Sequence, residues 1–370
     1  MRIFKAKSFL KNLSITFGFA FALMFGAFQI ASVAFAQSIK GETFSANQPG
    51  ELTKQYKSLV EALCRISEIH YYEGKLDDAA QLLENGAQML KQNGISREDA
   101  LKFQLQRGKI LYYKNSVDGG DYTESIAFLL ETQKMADSID NEYLKALALD
   151  LVGRAFYGQA FTGGDFEMPL KYFKQAFAIR QKLGDKQGLS ESLFHIGLVY
   201  ENKKDSTKED KQKAFEYYSQ SLELAEKGGF KLDAAYDYRH LAGLYEERGD
   251  LDKALDYFTK SFALREEIGF KIYLSPAALV IGDVHLKKKD YAKANDFYQK
   301  GLSLAESINA NRFIVMSLLL LGDVQQVTGN SAKALDYFRQ ALKRAEAAKN
   351  EEGAKEAADR IAKLSKVGNK

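Results

Sequence analysis

Seven small residues recur along the chain at nearly constant spacing: Ser67, Gly108, Gly153, Gly197, Ala242, Gly282 and Gly322. The steps between them are 41, 45, 44, 45, 40 and 40 residues. In the clearest copy, Leu241 and Ala242 are followed by Tyr245, Gly249, Asp250, Leu251, Ala254, Phe258 and Ser261. The next copies read Ile281, Gly282, His285, Lys289, Asp290, Tyr291, Ala294, Tyr298, Gly301 and then Leu321, Gly322, Gln325, Gly329, Asn330, Ala334, Phe338, Ala341. Chance does not place seven units in register. A repeat of this length outranks any local reading, because every copy must take the same local structure.

The spacing within a copy is that of two helices. Small residues on the first helix, and Ala254, Ala294 and Ala334 on the second, let the helices approach closely. Tyr245, Phe258, Tyr298 and Phe338 then fill the space between helices. Gly249-Asp250 and Gly329-Asn330 end the first helix with a residue tolerant of positive φ, followed by a side chain able to cap the second. Three prolines in 370 residues suit long uninterrupted helices. Each helical hairpin cannot bury its apolar face alone, so neighbours must stack. The chain is therefore expected to be all-α, with about seven helix-turn-helix repeats over residues 55–350 and a polar capping helix and tail over 351–370. Residues 37–54 read as a flexible leader. Three stretches, 114–121, 159–165 and 203–210, lengthen three consecutive units and are expected as insertions between paired helices, two of them marked by Gly-Gly-Asp. They read as lengthened loops, or as a second contact ridge.

This pattern resembles the tetratricopeptide repeat family over residues 55–350. The resemblance is to the long-helix members, because the steps of 40 or more exceed the family's usual 34. The family's Trp is replaced by Tyr238, Ala278 or Leu318, and its Pro late in the second helix is absent. The resemblance implies a right-handed superhelical solenoid with the first helix of each unit on the concave face. It also implies a groove lined by the positions one and four after each small residue. Those include Glu68, Tyr71, Lys109, Tyr112, Arg154, Tyr157, Glu201, Glu246, Asp283 and Asp323, with Leu198, Gly243, Leu286 and Gln326 between them. The groove is expected to be aromatic and basic at one end and acidic at the other. A partner segment is expected to lie across Tyr71, Tyr112 and Tyr157, with Lys109 and Arg154 gripping a carboxylate. The family's Lys and Asn carboxylate clamp is not matched.

The N-terminus reads as an export signal. Arg2, Lys5, Lys7 and Lys11 precede a mostly apolar stretch from Ile15 to Ala36, and Ala34-Phe35-Ala36 fits a small-x-small cleavage site before Gln37. The alternative is an uncleaved anchor, since the stretch is long enough to span a bilayer. Either way residues 37–370 are expected outside the cytoplasm, periplasmic or secreted. Taking those four cations from the net charge of +3 leaves −1 for the remainder, and no nucleic-acid partner is expected.

No phosphate loop, nucleophile elbow or zinc helix occurs. The single cysteine, Cys64, excludes a disulfide framework and a thiolate metal cluster. His70 and His285 stand at a packing position of the repeat, and His195 and His240 two residues before a small residue. No catalytic residue, metal or cofactor is expected. The expected function is a non-enzymatic scaffold that binds a protein or peptide in the bacterial envelope. The alternative is an exported sensory or assembly module acting by self-association as a homo-oligomer.

Overall fold

The computed structural model describes residues 49–90, 95–118 and 120–367. The expected signal, the leader up to residue 48, and Gly119 lie outside them. Fifteen helices follow one another, and no strand occurs among the described residues. They are α1 (Pro49–Tyr72), α2 (Leu76–Leu90), α3 (Arg97–Asp118), α4 (Thr123–Asp137), α5 (Glu142–Ala160), α6 (Glu167–Leu183), α7 (Lys186–Asn202) and α8 (Lys208–Gly228). Then come α9 (Lys231–Glu247), α10 (Leu251–Glu267), α11 (Leu274–Lys287), α12 (Tyr291–Ser307), α13 (Asn311–Val327), α14 (Ser331–Ala347) and α15 (Glu351–Val367). A single 3₁₀ turn, Lys271–Tyr273, leads into α11. The array forms one compact unit over Tyr56–Lys370. Odd-numbered helices are the first of each pair, giving seven hairpins, and α15 closes the end with Ala357 and Leu364 buried.

The hairpins are built as the spacing predicts. Each glycine at the small position of a first helix meets a large side chain of the second. A Cβ at Gly322 would stand 2.3 Å from Cε1 of Phe338, and one at Gly282 would stand 2.5 Å from the same atom of Tyr298. Gly108, Gly153 and Gly197 face Leu129, Phe173 and Tyr218 in the same way. The turns follow the expected chemistry with two variations. Asp250 and Asp290 cap their helices by accepting from the amides of Lys253 and Lys293. Asn330 does not cap; its amide donates to Gln325 instead. Lys289 takes the positive φ, 62°, that Gly249 and Gly329 take in their turns.

Three boundaries are corrected. Helix α1 begins at Pro49, so the last residues of the expected leader are helical. The first expected insertion, 114–121, is largely helix, because α3 simply runs on to Asp118. The third is shortened likewise. Thr207 and Asp210 form a reciprocal capping box that starts α8 early, leaving only a short turn with Asp205 at φ 62°. Only 159–165 lies mainly in a loop, tied to α6 by Asp165 accepting from the amides of Glu167 and Met168.

The winding is tight enough for the first hairpin to reach the sixth. Tyr71 stacks on Tyr113 with ring centroids 4.2 Å apart, and meets Phe270 edge to face at 5.3 Å. Tyr72 also packs on Phe270, which touches Tyr273 and Tyr236. A Cβ on Gly74 would stand 3.1 Å from Cδ1 of Ile308.

Candidate functional site

Four consecutive first helices, α3, α5, α7 and α9, turn one face toward a shared cavity of about 250 Å³. The helical rise places residues three and four apart on one face. Lys109, Tyr112 and Tyr113 come from α3, and Arg154 and Tyr157 from α5. Helix α7 adds Glu191, Phe194, His195 and Leu198, and α9 adds Asp233, Tyr236 and His240. Tyr273, from the 3₁₀ turn, completes the wall.

Arg154 sits between two aromatic rings. Its guanidinium carbon lies 4.9 Å from the ring centre of Tyr112 and 4.8 Å from that of Tyr113. One guanidinium nitrogen donates to the Tyr113 hydroxyl. Among the described residues no carboxylate stands within ion-pair distance of it. Asp233 is the opposite case. Its Oδ2 is enclosed and has no hydrogen-bond partner. Burial, aided by the charge of Glu191, pushes its carboxyl up to about 7, against the pull of the Gln187 side chain, Arg180 and Arg154.

Two buried charge networks lie beside the cavity, with Nε of Arg180 left without a partner. Arg180, almost wholly enclosed, donates to Asp150 at 3.1 Å, Ser192 at 2.8 Å and Glu191 at 2.9 Å. Asp150 also bonds His195 Nδ1 at 2.9 Å. Burial would raise the Asp150 carboxyl, yet His195 and Arg180 hold it well below the ordinary range. Glu201 accepts from His240 Nδ1 at 2.7 Å and from the Tyr218 hydroxyl at 2.5 Å. Burial opposes its ionisation, and His240 and Tyr218 outweigh it, holding the group at about 2.

The expected groove residues divide into three sets. Lys109, Tyr112, Arg154 and Tyr157 are brought together in the cavity. Tyr71 is not on an open face. It is fully buried in the contact between the first hairpin and Phe270, which corrects the expectation of an open aromatic row across Tyr71, Tyr112 and Tyr157. The acids form a third set, each answered by a neighbour. Glu68 accepts from Lys109 at 2.8 Å, and Asp283 from the Tyr298 hydroxyl at 2.6 Å. Glu246 pairs with Lys287 at 2.9 Å, and Asp323 with Arg360 at 3.1 Å. At the acidic end Glu246 and Asp323 are thus answered by the chain's own cations, and Asp283 by a hydroxyl.

Sequence reasoning missed Tyr113, Glu191, Asp233, Tyr236 and Tyr273. His240, Tyr236 and Asp233 lie at helical spacing on α9, one, two and three turns before Gly243. Extending each groove line toward the helix start would have found them. Tyr273 carries no such signal, because it arrives from the 3₁₀ turn. His285 is buried and stacks on Phe297 at 5.5 Å, a packing role.

Residues 206–267 and 273–347 match the family described as tetratricopeptide repeat. No curated protein sequence matches the chain. Three solved structures show a similar fold. A signal-transduction ATPase with a tetratricopeptide-repeat sensor, from Pyrococcus horikoshii, superposes with a TM-score of 0.60 at 16% identity. The match covers 89% of this chain and 48% of that one, so this chain spans about half of it. A plasmid-encoded Rap conjugation gene regulator in complex with the Phr* peptide gives 0.53 at 13% identity, covering 84% and 96%. A Rap protein complexed with competence and sporulation factor gives 0.50 at 16%, covering 84% and 98%.

Proposed function

The chain carries tetratricopeptide repeats, and on that premise we propose that it is a non-enzymatic scaffold binding a protein or peptide on the inner face of its first helices. The observation that carries this reading is the cavity between α3, α5, α7 and α9, where Arg154 is positioned by two tyrosine rings and, among the described residues, has no carboxylate within ion-pair distance. A guanidinium held this way offers two parallel donors to a carboxylate at little further ordering cost. Tyr112, Tyr157 and Tyr236 supply area for an apolar body. Support by likeness of fold comes from the two Rap structures, solved with a peptide or a factor bound. The basic, apolar N-terminal stretch supports a reading of export to the bacterial envelope with a mature N-terminus at Gln37.

A photo-crosslinking residue in place of Leu198, which lines the cavity, tests the reading in living cells. A partner captured by this variant, and lost when Arg154→Ala is added, is the expected result. Capture of a second copy of the chain alone would replace it with the self-association reading. Ile66 and Ile69, both exposed on α1, favour that alternative. Intact-mass measurement of the exported protein decides between a chain starting at Gln37 and one that keeps residues 1–36 as an anchor.

A further inference from the structure

The scaffold reading leaves open what the cavity itself accepts, and the inference here rests on that reading and narrows it. Three of the charge systems around the cavity are paired internally. Glu68 holds Lys109, Asp150 and Glu191 hold Arg180, and His240 and Tyr218 hold Glu201. Among the described residues that line the cavity, one cation and one acid remain without an ion pair. Arg154 has only a phenol oxygen and two ring faces. Asp233 has an enclosed oxygen with no partner. The two belong to different helices, α5 and α9, and do not form an ion pair with each other. Both line the same cavity.

A buried polar atom without a partner is destabilising unless something else satisfies it. Pairing Arg154 with Asp233 directly would have achieved this, and the fold holds them apart instead. A ligand that spans the gap and meets both groups in their charged forms presents opposite charges at its two ends. The cavity, at about 250 Å³, has room for the volume of about eight waters, each taking roughly 30 Å³. That suits a molecule of one or two residues and is too small for a length of extended chain. The walls between the charges are Tyr157, Phe194, Leu198 and Tyr236, which suit an apolar side chain.

We propose that the cavity binds a small zwitterion of the amino-acid or dipeptide class, its carboxylate on Arg154 and its ammonium on Asp233. The same chemistry is available from a free molecule or from the end of a longer partner whose terminal residue carries the second charge.

The test uses the full mature chain and two probe sets, the twenty free amino acids and a dipeptide mixture. Each is compared with its N-acetylated and its C-amidated form by thermal shift and titration calorimetry. At least one free zwitterion is expected to raise the melting temperature, and blocking either end is expected to weaken it tenfold or more. Arg154→Gln is expected to erase the difference between free and amidated probe. Asp233→Asn is expected to erase the difference between free and acetylated probe, with circular dichroism confirming the fold of each. A longer peptide with a free C-terminus and a terminal lysine, whose side-chain ammonium takes the place of the blocked backbone ammonium, separates the sources. Retained affinity points to the end of a longer chain, and loss points to a free molecule. The proposal is overturned if no free probe binds, or if blocked and free probes bind alike. If a partner is still captured at Leu198 while no zwitterion binds, the cavity assignment fails and the scaffold reading stands. If a zwitterion binds and no partner is captured, the scaffold reading is the one that fails.

Discussion

Tyr71 and Phe270 meet edge to face with ring centroids 5.3 Å apart, although one ends the first helix of the array and the other precedes the sixth hairpin. Nearest-neighbour stacking alone does not bring such residues together in a solenoid. The contact joins α1 to the start of α11 and places Tyr273 against the cavity. The cavity wall therefore depends on a closure between distant repeats.

The closure can be weighed by removing it. Both rings are fully buried, so Phe270→Ala leaves a large cavity and is predicted to destabilise by about 3–5 kcal/mol. Part of the loss should be local, with faster amide hydrogen exchange in α1 and α2 than in α13 and α14. A double-mutant cycle with Tyr71→Ala should return a coupling of about 0.5–1.5 kcal/mol. Exchange that rises evenly along the array would show that the first hairpin is held by its neighbours alone.

Within a hairpin the sharpest constraint is the small residue against the large one. Gly322→Ala places a methyl where Cε1 of Phe338 stands. The variant is predicted to lose about 1–3 kcal/mol in urea denaturation through overpacking. Adding Phe338→Leu should recover part of it, since the smaller side chain vacates the contested space. No recovery would mean the cost lies in the α13 backbone.

Much of the fold was legible in the sequence because a repeat constrains every copy at once. Gly282 against Tyr298 and Gly322 against Phe338 are short-range pairings fixed by helical spacing. Tyr71 was misplaced for the opposite reason. Its register on α1 points it inward, and only the contact with Phe270, set by how tightly the whole array winds, turns that inner face into core. Winding sums small rotations over many repeats, and no single unit's sequence displays it. The same limit hid Tyr273. The acids were legible as a row, but their partners, such as Lys287 for Glu246, stand on the next first helix.

The buried network around Arg180 gives another prediction. Asp150→Ala leaves a guanidinium enclosed with one remaining carboxylate, Glu191. Breaking a buried pair from one side is predicted to cost about 3–5 kcal/mol, nearer 3 because Glu191 remains. Replacing both members, as Asp150→Leu with Arg180→Met, should cost less than the single change, since no charge is left stranded. Urea midpoints for the three variants decide it, and equal losses would argue that the network contributes through its own bonds.

Two carboxylates beside the cavity give stability an opposed dependence on pH. Glu201 is held at about 2, below its unfolded value of about 4.3, so its contribution is present above pH ~4.3 and is lost as pH falls through 2. Asp233 is pushed up to about 7, above its unfolded value of about 3.9, so its contribution is full below pH ~3.9 and is lost as pH rises through 7. The groups facing it are Glu191 on α7, which raises it, and Gln187 on α7, Arg180 on α6 and Arg154 on α5, which lower it. Asp237, one turn along α9, is pushed up by burial as well. Asp233→Asn removes one of the two groups that weaken the fold on the alkaline side. The advantage of this variant over the parent should grow by about 1.4 kcal/mol per pH unit at most between pH 4 and 7, then level off. Asp237 keeps a residual decline in both proteins. Melting temperatures from pH 3 to 9 measure the difference directly. A constant offset between the two proteins would mean that Asp233 is already charged throughout, answered by Arg154 across the cavity.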